Sequence, residues 1–163
     1  MLKRFFPDYY IKSIFEIDAE ALKKKGIKAL VFDIDNTLVP YDVKEPTKEI
    51  IKFFKELQEK GFKICLFSNN NKERVIRFNS GLKLMAIHKA NKPLTAKFKH
   101  AMKLLGTDTT STAIIGDQIF TDIYGGNRVG ITTILVVPVS DKDEWITRVK
   151  RGIERRILNA YEK

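Results

Sequence analysis

Two aspartates separated by one isoleucine, Asp33 and Asp35, close an apolar run in KALVFDIDNTLVPYD, residues 28–42. A second acidic pair, Asp117 and Asp122, follows another apolar run in IIGDQIFTD. Where two such runs lie side by side in one sheet, Asp33, Asp35 and Asp117 converge on a small volume. Carboxylates that close raise one another's pKa values unless a cation neutralises them. A hard divalent ion is the economical answer. An all-oxygen ligand set with room for water and a phosphate suits Mg²⁺ better than zinc, and there is no Cys/His cluster to argue otherwise.

Other uses of the acidic loops fare worse. An EF-hand loop starting at Asp33 needs a glycine where Leu38 stands and a glutamate where Lys44 stands. GGNRVGI, residues 125–131, lacks both the GKS/T ending of a phosphate loop and the GxGxxG spacing, and reads as turns. A mere capping role for Asp33 and Asp35 does not explain why a later strand carries an acidic loop of its own.

The elements that must position these acids read as alternating strands and helices. Residues 29–33, 62–68, 84–87, 112–116 and 132–137 are short β-rich runs, mostly without polar alternation, as in strands buried on both faces. Between them, residues 46–60 place Ile50, Phe53, Phe54 and Leu57 on one helical face, with Pro46 in the first turn and Gly61 as the stop. Residues 93–105, closed by Gly106, read the same way. Repeated strand–helix units predict an α/β fold: a doubly wound, five-stranded parallel sheet with right-handed crossovers. Ligands bind such sheets at the carboxyl ends of the strands, where Asp33 and Asp117 fall.

The chain has 163 residues, which predicts one domain over 1–163. With 44% hydrophobic and 31% charged residues, it has the balance of a globular protein rather than a disordered one. The single cysteine, Cys65, rules out an internal disulfide and, inside ICLF, reads as a small buried hydrophobe. No signal-like opening and no apolar run near the roughly 20 residues of a membrane span are present, so a cytoplasmic location is expected. His88 and His100 lack partners at ligand spacing and read as surface polar groups, and Trp145 as the anchor of a C-terminal helix. The net charge of +10 concentrates between Glu73 and Asp108, where Arg74, Arg77, Lys83, Lys89, Lys92, Lys97, Lys99 and Lys103 meet no acidic residue. Each alone is a solvated charge; together they point to an anionic partner, with phosphate, nucleic acid and anionic lipid all open.

DIDNT resembles the DxDx[TV] first motif of the haloacid dehalogenase (HAD) superfamily, FSNN its second, the lysine of NKP its third and GDQIFTD its fourth, in that order. GDQIFTDIYGGNRVGITTILVVPV and ITRVKRGIERRIL further resemble the YqeG-type branch (subfamily IIIA), related to mitochondrial phosphatidylglycerophosphatases. The resemblance covers nearly the whole chain. It implies a HAD-like Rossmannoid fold in which Asp33 attacks phosphorus to form an aspartyl-phosphate. Asp35 would protonate the leaving oxygen and later take a proton from water, in surroundings that keep it protonated part of the time. The implied Mg²⁺ ligands are Asp33, the main-chain carbonyl of Asp35, and Asp117, with Asp122 oriented towards the metal's waters or Lys92. Ser68, Asn69 and Lys92 are the implied phosphate donors, Lys92 aided by a helix starting at Pro93.

No insertion before Asp117 is large enough for a lid domain, so the site is expected to be capless and its phosphate to sit on something large: a lipid headgroup, a polynucleotide end or a protein. The branch resemblance implies phosphatidylglycerophosphate and a role in phospholipid biosynthesis. The rival is a basic HAD-like module that binds RNA or protein. A receiver domain fits less well, because its acceptor follows the third strand. The first fifteen residues carry Phe5, Phe6, Tyr9, Tyr10 and Phe15 beside Lys3, Arg4 and Lys12. Alone they read as a segment packed on the domain; with the basic block they fit a peripheral contact with anionic membrane.

Overall fold

The computed structural model describes residues 1–141 and 145–163, of which 145–148 by backbone alone. Six strands, β1 (Tyr9–Ile11), β2 (Ala29–Phe32), β3 (Lys63–Phe67), β4 (Met85–Ile87), β5 (Thr112–Gly116) and β6 (Thr132–Val136), form one sheet in the order β1-β6-β5-β2-β3-β4. Every pairing is parallel. The five strands expected from apolar runs are all present, but the sheet has six strands, not five. β1 escapes a pattern reading because it is three residues long, largely exposed, and joined to the edge by main-chain pairing of Tyr9 with Ile134 and Ile11 with Val136. The central strands β2, β5 and β6 are buried at every residue, as expected for strands covered on both faces.

Helices α1 (Ala19–Lys24), α2 (Lys48–Glu59), α3 (Lys72–Asn79), α4 (Ala96–Leu105), α5 (Tyr124–Val129) and α6 (Trp145–Tyr161) supply that cover. In α2, Thr47 is the N-cap, its side chain accepting from the Ile50 amide at 3.2 Å, so Pro46 precedes the helix rather than sitting in its first turn. Ile50, Phe54 and Leu57 are its buried face. α4 begins at Ala96, three residues later than Pro93 suggests. GGNRVGI, expected as turns, is mostly helix α5. Its glycines let it press on the core: a Cβ on Gly125 would lie 2.7 Å from the Phe98 ring, and one on Gly126 2.6 Å from Ile114.

One apolar layer joins Leu30, Phe32, Leu66, Phe54 and Phe78; the other joins Val31, Cys65, Phe67, Phe98 and Ile114. Cys65 is buried as expected, and burial pushes its thiol up to about 12. His100 is exposed, whereas His88 is half-buried. Trp145 opens α6, but its side chain lies outside the described residues. Much of the aromatic N-terminus is packed on the domain. Phe5 stacks on Tyr124 at 4.7 Å, Phe6 meets Tyr161 at 5.5 Å, and Phe15 meets Phe53 at 5.3 Å. Among the described residues no helix is long and apolar enough to cross a membrane.

Candidate active site

β2 lies between β3 and β5, with Phe32 opposite Ile115, so the residues following β2 and β5 emerge together. Asp33 follows β2 directly, its amide donating to the Ile115 carbonyl at 2.9 Å, and Asp117 follows β5. A π-helical turn, Ile119–Ile123, then brings Asp122 back against the end of β5. Gly116 makes room for it: a Cβ there would lie 2.2 Å from the Asp122 carboxylate. Asp33, Asp117 and Asp122 are all buried, with one oxygen of each lying within 4.8 Å of the others.

Lys92 is set among these acids. Its Nζ donates to Asp33 Oδ1 and Asp122 Oδ1, each at 2.8 Å, and to the Phe67 carbonyl at 3.0 Å. Those three bonds use all the protons of an ammonium group. Expected as a phosphate donor at a helix start, Lys92 instead precedes α4 by four residues and directs its protons to the acids. Asn69, also expected as a phosphate donor, holds the Lys92 main chain: Oδ1 accepts from its amide at 2.7 Å and Nδ2 donates to its carbonyl at 3.1 Å. Ser68 is buried and its Oγ accepts from the Asn70 amide at 3.0 Å.

Asp35 stands apart from the buried acids. Arg74 Nε donates to its Oδ1 at 3.1 Å, with Nη2 at the same distance as an ion pair, and Asn70 donates to its Oδ2 at 3.1 Å. A guanidinium and an amide thus fix the position of the Asp35 carboxyl.

Lys92 and Arg151 offset the buried carboxylates only in part. Burial raises Asp33 above its ordinary value and Asp122 adds to this, while Lys92 opposes it. Asp117 is raised further by burial, Asp33 and Asp122, against the pull of Arg151. For Lys92, burial opposes the charge, but Asp122 and Asp33 outweigh it and raise its pKa. Both Asp122 oxygens are engaged, by Lys92 and by the Gln118 amide at 3.2 Å. Thr37 Oγ1 lies 3.0 Å from Asp117 Oδ1 and 3.5 Å from Asp33 Oδ2. Buried, anionic and all-oxygen, the triad fits a divalent metal.

A cavity of about 320 Å³ opens over Asp33, Asp35, Ser68, Asn69, Lys92 and Gln118, with Tyr41 and Thr121 on its walls. A larger one, about 580 Å³, lies beyond Asp117 between β6 and α6, and it touches neither Asp33, Asp35 nor Lys92. The reactive groups thus face the smaller cavity. Among the described residues no cap is inserted between β2 and β5, whose connections are α2, α3, α4 and short loops.

Thr37 and Asn70 fall within the motifs DIDNT and FSNN, and Arg151 and Glu154 within the tail ITRVKRGIERRIL, but spacing gives none of them a role, and Arg74 reads only as surface charge. Arg74 and Lys92, two of the eight cations of the basic block, turn inward to acids. Arg151 reaches Asp117 and Glu154 reaches the amides after it, across 34 and 35 residues, a separation at which no local pattern operates.

Residues 30–91 match a family model described as haloacid dehalogenase-like hydrolase, and residues 89–152 one described as HAD-hydrolase-like. The "Probable phosphatase YqeG" of Bacillus subtilis is 44% identical over 100% of this chain and 95% of its own length. The chain belongs to the haloacid dehalogenase-like phosphatases. Within the HAD phosphatases it is YqeG-like. It is also 32% identical to "Phosphatidylglycerophosphate phosphatase 1, chloroplastic/mitochondrial" of Arabidopsis thaliana, over 95% of this chain but only 47% of that protein. In fold, it is similar to the cobalt-bound deoxy-D-mannose-octulosonate 8-phosphate phosphatase (YrbI) of Haemophilus influenzae. The TM-score is 0.55 and the identity 18%, covering 86% of this chain and 92% of that one. The HAD phosphatase frame accounts for why the acids gather at the carboxyl ends of β2 and β5.

Proposed function

We propose that the protein is a Mg²⁺-dependent phosphomonoesterase whose nucleophile is Asp33, and that the phosphate it removes is carried by a lipid headgroup, as in phosphatidylglycerophosphate. The observation that carries the reaction class is the buried triad Asp33, Asp117 and Asp122 bridged by Lys92. An Asp33 oxygen attacks phosphorus as the bond to the leaving oxygen breaks, giving an aspartyl-phosphate. Asp35 delivers a proton to that oxygen. It then accepts one from the water that attacks the aspartyl-phosphate, releasing inorganic phosphate and restoring Asp33. Arg74 and Asn70 hold the Asp35 carboxyl in place at the cavity for both transfers. Asp33, Asp117 and the main-chain carbonyl of Asp35 would hold Mg²⁺, which supplies charge neutralisation for the phosphoryl oxygens. Ser68 lies on the cavity wall, where it can donate to a phosphate oxygen. Lys92 acts through Asp33 and Asp122, and Asn69 through Lys92.

The reaction class is tested with an aryl phosphate. Slow hydrolysis that needs Mg²⁺ and stops with chelator is expected. Asp35→Asn should lower kcat by about 10²–10⁴-fold, the usual contribution of a general acid and base. Asp35→Asn turnover equal to the parent's would exclude that role.

The lipid reading rests on the 32% identical relative and on the character of the cavity mouth. Tyr41 on its wall, Leu94 two residues past Lys92, and Val139, whose amide donates to the Asn36 carbonyl at 2.9 Å, are all exposed. Lys44, Lys72 and Lys89 are exposed nearby: the Lys44 carbonyl accepts from Arg74, Lys72 follows Asn71, and the Lys89 amide donates to the Asn70 carbonyl. These exposed apolar residues and cations suit an anionic bilayer surface better than Phe5 and Phe6, which are engaged in packing. Cosedimentation with anionic but not neutral vesicles is expected, released by salt and lost in Leu94→Asp/Val139→Asp. Phosphatidylglycerophosphate in mixed micelles should be the preferred substrate over soluble phosphomonoesters and phosphorylated oligonucleotides. Preference for oligonucleotides without vesicle binding would replace the lipid reading with nucleic-acid end processing. No turnover on any class would favour a binding module.

A further inference from the structure

We infer that Arg151, braced by Glu154, is a positioning residue of the metal site, so that helix α6 is a working part of the active centre. Arg151 Nη1 donates to the Asp117 carbonyl at 2.6 Å, and Nη2 donates to Asp117 Oδ2. From behind, Glu154 Oε2 accepts from Nη1 at 3.2 Å. The other Glu154 oxygen accepts from the Ile119 amide at 2.9 Å and the Phe120 amide at 3.4 Å. Two residues one helical turn apart therefore grip both ends of the short segment that presents Asp117 and leads into the turn carrying Asp122. Glu154 is buried, an unusual place for a glutamate unless its charge is matched and its oxygens bonded.

The grip decides which way the Asp117 carboxylate faces. With Oδ2 held by Arg151, Oδ1 is the oxygen turned towards Thr37 Oγ1 and, across it, Asp33 Oδ2. Rotating the carboxylate would break a charge-assisted bond to a planar group that binds its side chain and its main chain at once. Oδ1 is thereby offered to the cation as a single, preoriented ligand oxygen. A competing role predicts the opposite sign: if Arg151 merely occupies the cation's place, removing it strengthens metal binding. Arg151 and Glu154 lie outside the four HAD motifs, in the tail ITRVKRGIERRIL that resembles the YqeG-type branch.

The inference rests on the proposed metal reading, and calorimetric titration of the full chain with Mg²⁺ alone separates the two. Measurable binding by the parent protein supports the metal reading; none would remove that reading and this inference with it. Arg151→Met is expected to weaken Mg²⁺ binding by about 10–100-fold, as for other residues that orient metal ligands. Its kcat for aryl phosphate should recover substantially once Mg²⁺ is saturating. Arg151→Lys should recover only part of the affinity, because it restores the charge but not the two-point grip. Glu154→Gln, which keeps an acceptor for the amides but loses the charge behind Arg151, should fall between Arg151→Met and the parent. Circular dichroism on each variant checks that it is folded. A folded Arg151→Met or Arg151→Lys protein with parental Mg²⁺ affinity and only a lower melting temperature would make Arg151 purely structural and overturn the inference. Tighter Mg²⁺ binding would overturn it in favour of the competitor.

Discussion

Asp33→Asn is expected to abolish turnover without unfolding the protein. The carboxamide has nearly the shape of the carboxylate but no anionic oxygen to attack phosphorus, and loss of a covalent nucleophile typically costs about 10⁴-fold or more in kcat. Stability should hold or rise. The carboxamide retains an oxygen that can accept from Lys92, in place of the Asp33 Oδ1 bond at 2.8 Å. The change also removes one of three buried carboxylates, and Asp33 is among those raised by burial and then by a neighbouring acid. Steady-state hydrolysis of aryl phosphate and a thermal melt measure the two halves. Turnover within about tenfold of the parent, far short of the loss expected for a nucleophile, would remove Asp33 from that role. An unfolded variant would make the measurement a statement about stability.

Lys92→Ala has the second large expected effect, on stability as well as on activity. The ammonium is buried between Asp33 and Asp122 and bonds to both. Removing one partner from a buried ionic cluster leaves uncompensated charge and costs about 3–5 kcal/mol. For a chain of this length that is a fall in melting temperature on the order of 10 °C. Activity should fall too, because Asp33 loses the group that holds and neutralises it. Lys97→Ala and Lys99→Ala change residues that are half-buried and exposed, respectively, and should stay within about 0.5 kcal/mol of the parent, with near-parental turnover. Equal losses from all three would mean that general basicity, rather than a placed cation, matters.

The residues readable without coordinates are those whose role follows from near neighbours along the chain. Apolar runs at residues 29–32, 63–67, 112–116 and 132–136 are β-strands because few other structures can bury three or four consecutive apolar side chains over so short a length. Asp33 and Asp117 mark the site because each directly follows such a strand, and parallel strands present their carboxyl ends on one side. What local pattern cannot supply is the pairing of side chains distant in sequence. β1 carries no apolar signature and joins the sheet through its main chain against β6, with Tyr9 opposite Ile134. GGNRVGI is a helix because Phe98 and Ile114, brought close by packing, need the space its glycines leave. Lys92 lies 59 residues from Asp33, yet the burial of that carboxylate makes the ammonium its natural partner and draws its protons away from the open cavity. Arg74, on Asp35, and Arg151, on Asp117, escape a reading by spacing for the same reason. A guanidinium's preference for solvent or for a buried acid is set by what the fold places opposite it, and that is a property of three-dimensional neighbours rather than of spacing along the chain.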